Sequence, residues 1–223
     1  MSILRCAEVS FASYFDKRVV MQDFNLKNIS GCSPIVLIDN KCWLLENEES
    51  NELYIAFRGS QSVEDLVLNC NCNLVTSEHG GKIHKGYREY YKPLSEKIQT
   101  YLNQRERPYS AIYVTGHSLG GVVAVLCSLD VVHFSDKVEV VSFGSPPVGD
   151  KEFKRRHTLQ VPETSRVYDC YDFAARLPVP GMVHVGRPIM LSAKHPINPF
   201  KPTINLLYHH SMAKYLKTVR LTI

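Results

Sequence analysis

The chain has 223 residues, 44% hydrophobic and 22% charged, with a formal net charge of +4 at pH 7. That size and mixture predict a single domain over 1–223 with a real core, and exclude a disordered or fibrous chain. The charge is too small to point to nucleic acid, yet it would not oppose docking on an anionic membrane surface.

No apolar run approaches the roughly 18 residues of a membrane span. The N-terminal stretch MSILRCAEVSFASYFDKRVV lacks a long apolar run with a small-residue cleavage site, so it does not read as a signal peptide. Seven cysteines cannot all pair internally. Together these predict free thiols in a reducing compartment, and an intracellular protein that is soluble or peripherally membrane-associated. Cys70, Cys72, His79 and His84 fall in one stretch, but Cys-x-Cys is tighter than the usual spacing of a structural zinc site. No zinc site is therefore expected there.

In chain order, the first twenty residues read as an amphipathic helix. PIVLIDNKCWLLE reads as two strands around a turn at Asp39-Asn40-Lys41. ELYIAFRGS is an apolar strand ending at Arg58-Gly59, and SVEDLVLN a short helical piece with Val63, Leu66 and Val67 on one face. YREYYKPLSEKIQTYLNQ is the longest helix candidate, with Pro93 predicted to delay its start or kink it. Strand AIYVT follows, then a helix to about His133, strand KVEVVSF with a tight turn, and strands SRVYDCYD and MVHVGRPIML. A proline-rich loop, HPINPFKPT, precedes a last helix, YHHSMAKYLKTV. On this helix Lys214, Lys217 and Arg220 recur every three residues, which reads as a solvated face. Strands alternating with helices predict an α/β domain with a mostly parallel central sheet and helices on both faces.

One segment carries chemistry. Gly116-His117-Ser118-Leu119-Gly120 is a G-x-S-x-G motif, which average residue usage produces by chance in about one chain of this length in fifteen. Its setting sharpens it, because a strand ends before the first glycine and a small-residue helix follows the serine. Such an elbow brings backbone so close to backbone that side chains two positions from the serine would clash. It lifts the Ser118 hydroxyl above the sheet edge, with the Leu119 N–H at a helix start facing a developing oxyanion. A nucleophilic serine needs a base and an orienting acid, ordered Ser, Asp or Glu, His in this architecture. Downstream, YDCYD offers Asp169 and Asp172, and YHHSM offers His209 and His210. Spacing alone chooses within neither pair.

In their joint order these segments resemble the class 3 lipases, an α/β-hydrolase family that includes the fungal triacylglycerol lipases. The resemblance runs from about Leu53 to Tyr215. It rests on YIAFRGSQSVEDLVLN, IHKGYREYY, VTGHSLGGVVAVL, FGSPPVGDKEF, YDCYDFAARLP, HVGRP and HHSMAKYL. It implies that the acid is Asp172, followed by Arg176, Leu177 and Pro178, and that the base is His210, followed by Ser211, Met212 and Tyr215. Ser60 falls on the family's oxyanion position and would act with Leu119. Residues 61–72 would form a lid-like helix. His84, His117 and His184 are left as structural histidines. Leu66 stands where the family commonly has tryptophan, and Ala175 where it commonly has proline.

The resemblance implies a cofactor-free serine hydrolase cleaving lipid carboxylic esters through an acyl-enzyme. Its partner would be a lipid ester, met at a membrane or lipid-droplet surface. The alternatives are a phospholipase or acyltransferase on the same triad, and a non-catalytic hydrolase-fold protein that binds lipid or a partner.

Overall fold

A computed structural model of the chain describes residues 2–15, 33–59, 73–191 and 208–222. Helix α1 (Ser2–Ala12) comes first. Strands β1 (Ser33–Ile38), β2 (Cys42–Asn47) and β3 (Glu52–Phe57) follow. A short hairpin, β4 (Leu74–Thr76) and β5 (Lys82–His84), leads into α2 (Lys85–Leu102). Then come β6 (Ala111–His117), α3 (Leu119–Val131), β7 (Val138–Phe143), α4 (Lys151–Gln160), β8 (Thr164–Asp169), β9 (Arg187–Leu191) and α5 (Met212–Thr222).

Seven strands form one sheet in the order β1-β2-β3-β6-β7-β8-β9. β1 and β2 pair antiparallel with their neighbours, and from β3 onward every pairing is parallel. The antiparallel end has a local cause. Asp39 and Asn40 both adopt positive φ, 51° and 53°, the tight hairpin turn that these residue types tolerate. The middle of the parallel part is buried on both faces, and every residue of β6 is buried, as its continuous apolar run requires, whereas the edge strand β9 is largely exposed.

Two cores result. On one face α2 and α3 pack over Leu44, Ile55, Phe57, Ile112, Val114 and Val140. On the other, α1 and α5 pack over Trp43, Tyr54, Ala56, Val141, Phe143 and Val167. α3 is apolar all round because it lies between the sheet and α2, with twelve of its thirteen residues buried.

Two helix expectations needed correction. Pro93 does not delay the start of α2, an 18-residue helix that begins at Lys85 and continues past it. Pro93 and Glu89, whose carbonyl loses its usual partner, both face solvent, so water can replace the missing bond. α4 was not foreseen. Its start signal is Asp150, whose carboxylate accepts the Phe153 N–H at 2.8 Å as an N-cap. The HPINPFKPT loop and the piece SVEDLVLN lie outside the described residues.

Candidate active site

The elbow is strained, and glycine permits it. Ser118 sits between β6 and α3 with φ 57° and ψ −124°, a region costing on the order of 1–3 kcal/mol for a residue with a side chain. Its N–H is anchored to the Phe143 carbonyl at 2.9 Å. A Cβ on Gly116 would press into the Gly120 carbonyl, and one on Gly120 into the Phe57 carbonyl. Both walls are backbone and cannot swing aside, so the spacing of the motif is a steric requirement. Leu119 is the first residue of α3, where the N–H has no partner within the helix.

The acid arrives from the loop after β8 and the base from the turn before α5. Asp172 lies just past β8, fully buried. A buried carboxylate needs compensating donors. Its Oδ1 accepts the Ala174 N–H at 3.0 Å and the Ala175 N–H at 3.4 Å, and its Oδ2 accepts the Tyr215 hydroxyl at 2.6 Å. Proline at 175 would lack that second N–H. His210, in the turn before α5, has Nδ1 2.8 Å from Asp172 Oδ1 and Nε2 2.9 Å from Ser118 Oγ. The carboxylate can only accept, so Nδ1 carries the proton and Nε2 is free to receive the serine's. A serine, an imidazole and a carboxylate therefore form one hydrogen-bonded relay, the arrangement that activates a serine as a nucleophile.

The other members of the two pairs form a separate cluster. His209 Nδ1 lies 3.2 Å from Asp169 Oδ2. The Lys214 ammonium contacts Asp169 Oδ2 and lies 2.6 Å from His209 Nδ1. As an ammonium only donates, His209 accepts and is neutral. Its pKa is lowered by burial, against an opposing pull from Asp172. Burial draws the Lys214 pKa down to about 8, but the Asp169 carboxylate in contact favours the charged form. The sequence reading of a Lys214, Lys217 and Arg220 stripe is thereby corrected. Only Lys214 departs from it, being buried, while Lys217 and Arg220 are exposed, Arg220 pairing with Glu8 at 3.0 Å.

Among the described residues, the remaining histidines are not hydrogen-bonded to Ser118 Oγ. The His117 ring lies against His210, with centroids 4.7 Å apart, and its Nδ1 meets the Tyr14 hydroxyl at 2.7 Å. His84 caps α2 by accepting the Gly86 N–H, and burial lowers His184 to about 4. His79 Nε2 lies 2.7 Å from Asp130, while Cys70 and Cys72 lie outside the described residues, as do Ser60 and all of 61–72.

Sequence reasoning missed two contributors. Tyr215 served there as a motif landmark, whereas its hydroxyl donates to Asp172 and accepts the Asp169 N–H at 3.0 Å. Gly144, at φ 56°, leaves room for the acid, since a Cβ there would lie 2.6 Å from Asp172 Oδ2.

Residues 54–182 match the family model "Lipase (class 3)". A lipase of Caenorhabditis elegans is 31% identical over 150 residues, covering 63% of this chain and 42% of that protein. A lipase of Rhizomucor miehei is 28% identical over 183 residues, covering 77% of this chain and 50% of that protein. The chain thus spans about half the length of these relatives or less. A solved structure of Rhizomucor miehei triacylglyceride lipase superposes with a TM-score of 0.71 at 25% identity, covering 85% of this chain and 78% of that one. The sheet order, the elbow and a family match over more than half of its length agree: the chain belongs to the class 3 lipase family, with the α/β-hydrolase fold.

Proposed function

We propose that the protein is a serine hydrolase that cleaves carboxylic esters of acylglycerols, with Ser118 as nucleophile, His210 as base and Asp172 as orienting acid. The observation that carries this reading is the unbroken hydrogen-bonded relay Ser118–His210–Asp172, at 2.9 and 2.8 Å. The two similar proteins named above are lipases, one of them a triacylglyceride lipase, which supports a lipid ester as substrate.

In this mechanism Ser118 Oγ attacks the ester carbonyl carbon as its proton passes to His210 Nε2. Asp172 holds the Nδ1–H tautomer and stabilises the imidazolium. The carbonyl oxygen becomes an oxyanion facing the Leu119 N–H, with Ser60 as the second donor. The C–O bond to the alcohol then breaks, and the alcohol leaves with the proton from His210. Water repeats the sequence on the acyl-serine, releasing the fatty acid. No step calls for a metal or cofactor.

Esters of this kind gather at membrane and droplet surfaces, and we assign the working position there, docked peripherally. No helix among the described residues is long and apolar enough to cross a membrane. Tyr171 and Tyr208, both exposed, flank His209 beside the relay, and aromatic side chains suit a lipid–water boundary.

A fluorophosphonate probe tests the chemistry, since a competent Ser118 labels covalently and Ser118→Ala does not. A chain-length series of p-nitrophenyl esters, with emulsified triacylglycerol and phospholipid, then tests the substrate class. Labelling absent from the wild-type protein refutes the hydrolase, and preference for phospholipid refutes the acylglycerol assignment.

A further inference from the structure

We propose that Tyr14 and His117 form a strut that sets the spacing between the oxyanion arm and the base, making Tyr14 a positioning residue of the active site. The proposal rests on the hydrolase reading and assigns a role to a segment outside the matched residues 54–182.

Helix α1 is pinned to the sheet by Cys6, Ala7, Val9 and Ala12. Its helical turn carries on beyond Ala12, with the Tyr14 N–H bonded to the Phe11 carbonyl at 3.2 Å. The Tyr14 hydroxyl reaches two strand ends at once. It lies 2.7 Å from His117 Nδ1 at the end of β6, and it packs directly on Gly59 after β3, leaving no room there for a Cβ. The Arg58 guanidinium sits 5.8 Å over the Tyr14 ring. β3 and β6 are parallel, with Phe57 level with Gly116, so Gly59 lies beside Ser118. A Cβ on Gly59 would be 3.4 Å from Ser118 Cβ. The residue following Gly59 is Ser60, the candidate oxyanion donor.

The protons can be assigned. His117 is held well below the ordinary histidine range by burial and by the neighbouring His210, so it is neutral. Burial raises Tyr14, and the Gly59 backbone donates to its oxygen, so it remains a phenol. The phenol then donates to His117 Nδ1 and accepts the Gly59 N–H. The imidazole proton is left on Nε2, a buried atom that faces the His210 backbone without a well-formed hydrogen bond, in a ring tilted 41° against that of His210 and 5.8 Å from the Tyr215 ring. An apolar pair would fill this space with no polar groups to satisfy. What the polar pair adds is a fixed distance: from Gly59 through Tyr14 to His117, and by ring contact to His210.

Oxyanion contacts count most in the transition state, so loosening the strut lowers kcat more than it weakens substrate binding. Tyr14→Phe deletes one oxygen and keeps the ring. With a short soluble p-nitrophenyl ester, kcat is expected to fall about tenfold while KM stays within about twofold. Fluorophosphonate labelling of Ser118 should slow by a similar factor. The 15N resonance of His117 Nδ1 should move to the position of an unbonded ring nitrogen. Unchanged kcat, or a loss carried by KM, overturns the proposal. Should the variant melt early, the wild-type resonance decides: an unbonded Nδ1 there refutes the strut. Wild-type protein that neither labels nor turns over ester refutes the hydrolase reading instead, and the resonance still tests the strut.

Discussion

Lys214→Met keeps an apolar stem of similar length and removes one charge from a buried cluster. The Lys214 side chain is 5% exposed and that of Asp169 4%. Asp169 keeps the Tyr171 N–H on Oδ1 at 2.8 Å, but its Oδ2 is left, among the described residues, with only His209, 3.2 Å away. Breaking a buried pair from one side typically costs about 3–5 kcal/mol. The surviving N–H places this case at the lower end, about 3 kcal/mol near pH 8. At lower pH His209 can take the ammonium's place, donating its Nδ1–H to Asp169. In the variant its folded-state pKa is raised above the unfolded value of about 6.5. That contribution is fully present below the unfolded pKa and is lost as pH rises through the folded one. The deficit should therefore shrink to about half near pH 5.5. For a chain of this length 1 kcal/mol moves the melting temperature by about 2–4 °C, so the expected drop is about 6–12 °C near pH 8 and about half that near pH 5.5. Urea unfolding and calorimetry on variant and wild type at both pH values measure it. A deficit below about 1 kcal/mol near pH 8, or the same deficit at both, would refute the placement of a charged Lys214 on Asp169.

His210→Ala should cost several orders of magnitude in kcat on a soluble ester, and His209→Ala less than about tenfold; comparable losses would assign the base wrongly. Gly120→Ala drives a methyl group into the Phe57 carbonyl, with Arg58 backbone 3.1 Å away, and should destabilise the fold by more than about 3 kcal/mol in chemical unfolding. Tyr215→Phe removes a 2.6 Å donor from Asp172 and leaves the Asp169 N–H without its acceptor, an expected loss of about 2 kcal/mol with a reduced kcat. His157 is fully buried and held down to about 4 by burial. The unfolded chain therefore binds the extra proton first, and stability should fall as pH drops from about 6.5 to about 4, by at most about 1.4 kcal/mol per pH unit from this group. His157→Asn should flatten that part of the pH–stability curve.

Much of this was legible in the sequence because the cause is local. Gly116 and Gly120 flank Ser118 for steric reasons that any strand-to-helix elbow imposes, so the motif reads directly. Asp39-Asn40 announces its hairpin because few other residues accept positive φ. The alternation of apolar strands with helices yields the parallel sheet and its two covered faces, and a sheet of this kind presents its strand ends, with Ser118, Asp172 and His210, along one edge. The order of those residues left both pairs open, and only the resemblance to the family's motifs pointed to His210, the histidine that lies within hydrogen-bond distance of Ser118 and Asp172.

Tertiary structure decided whatever depends on where a neighbouring side chain turns. Asp169 and Asp172 share one short segment, yet one faces Lys214 and the other His210, because the chain turns between the end of β8 and Asp172. Lys214 looks like part of a basic helix face in one dimension and is buried when α5 docks on the sheet. Tyr14 lies 103 residues from His117 in the chain and meets it only because α1 packs across β3 and β6. The residue types allowed by backbone geometry are written in short-range sequence, but the partner of a polar side chain is set by packing between distant elements, which no local pattern encodes.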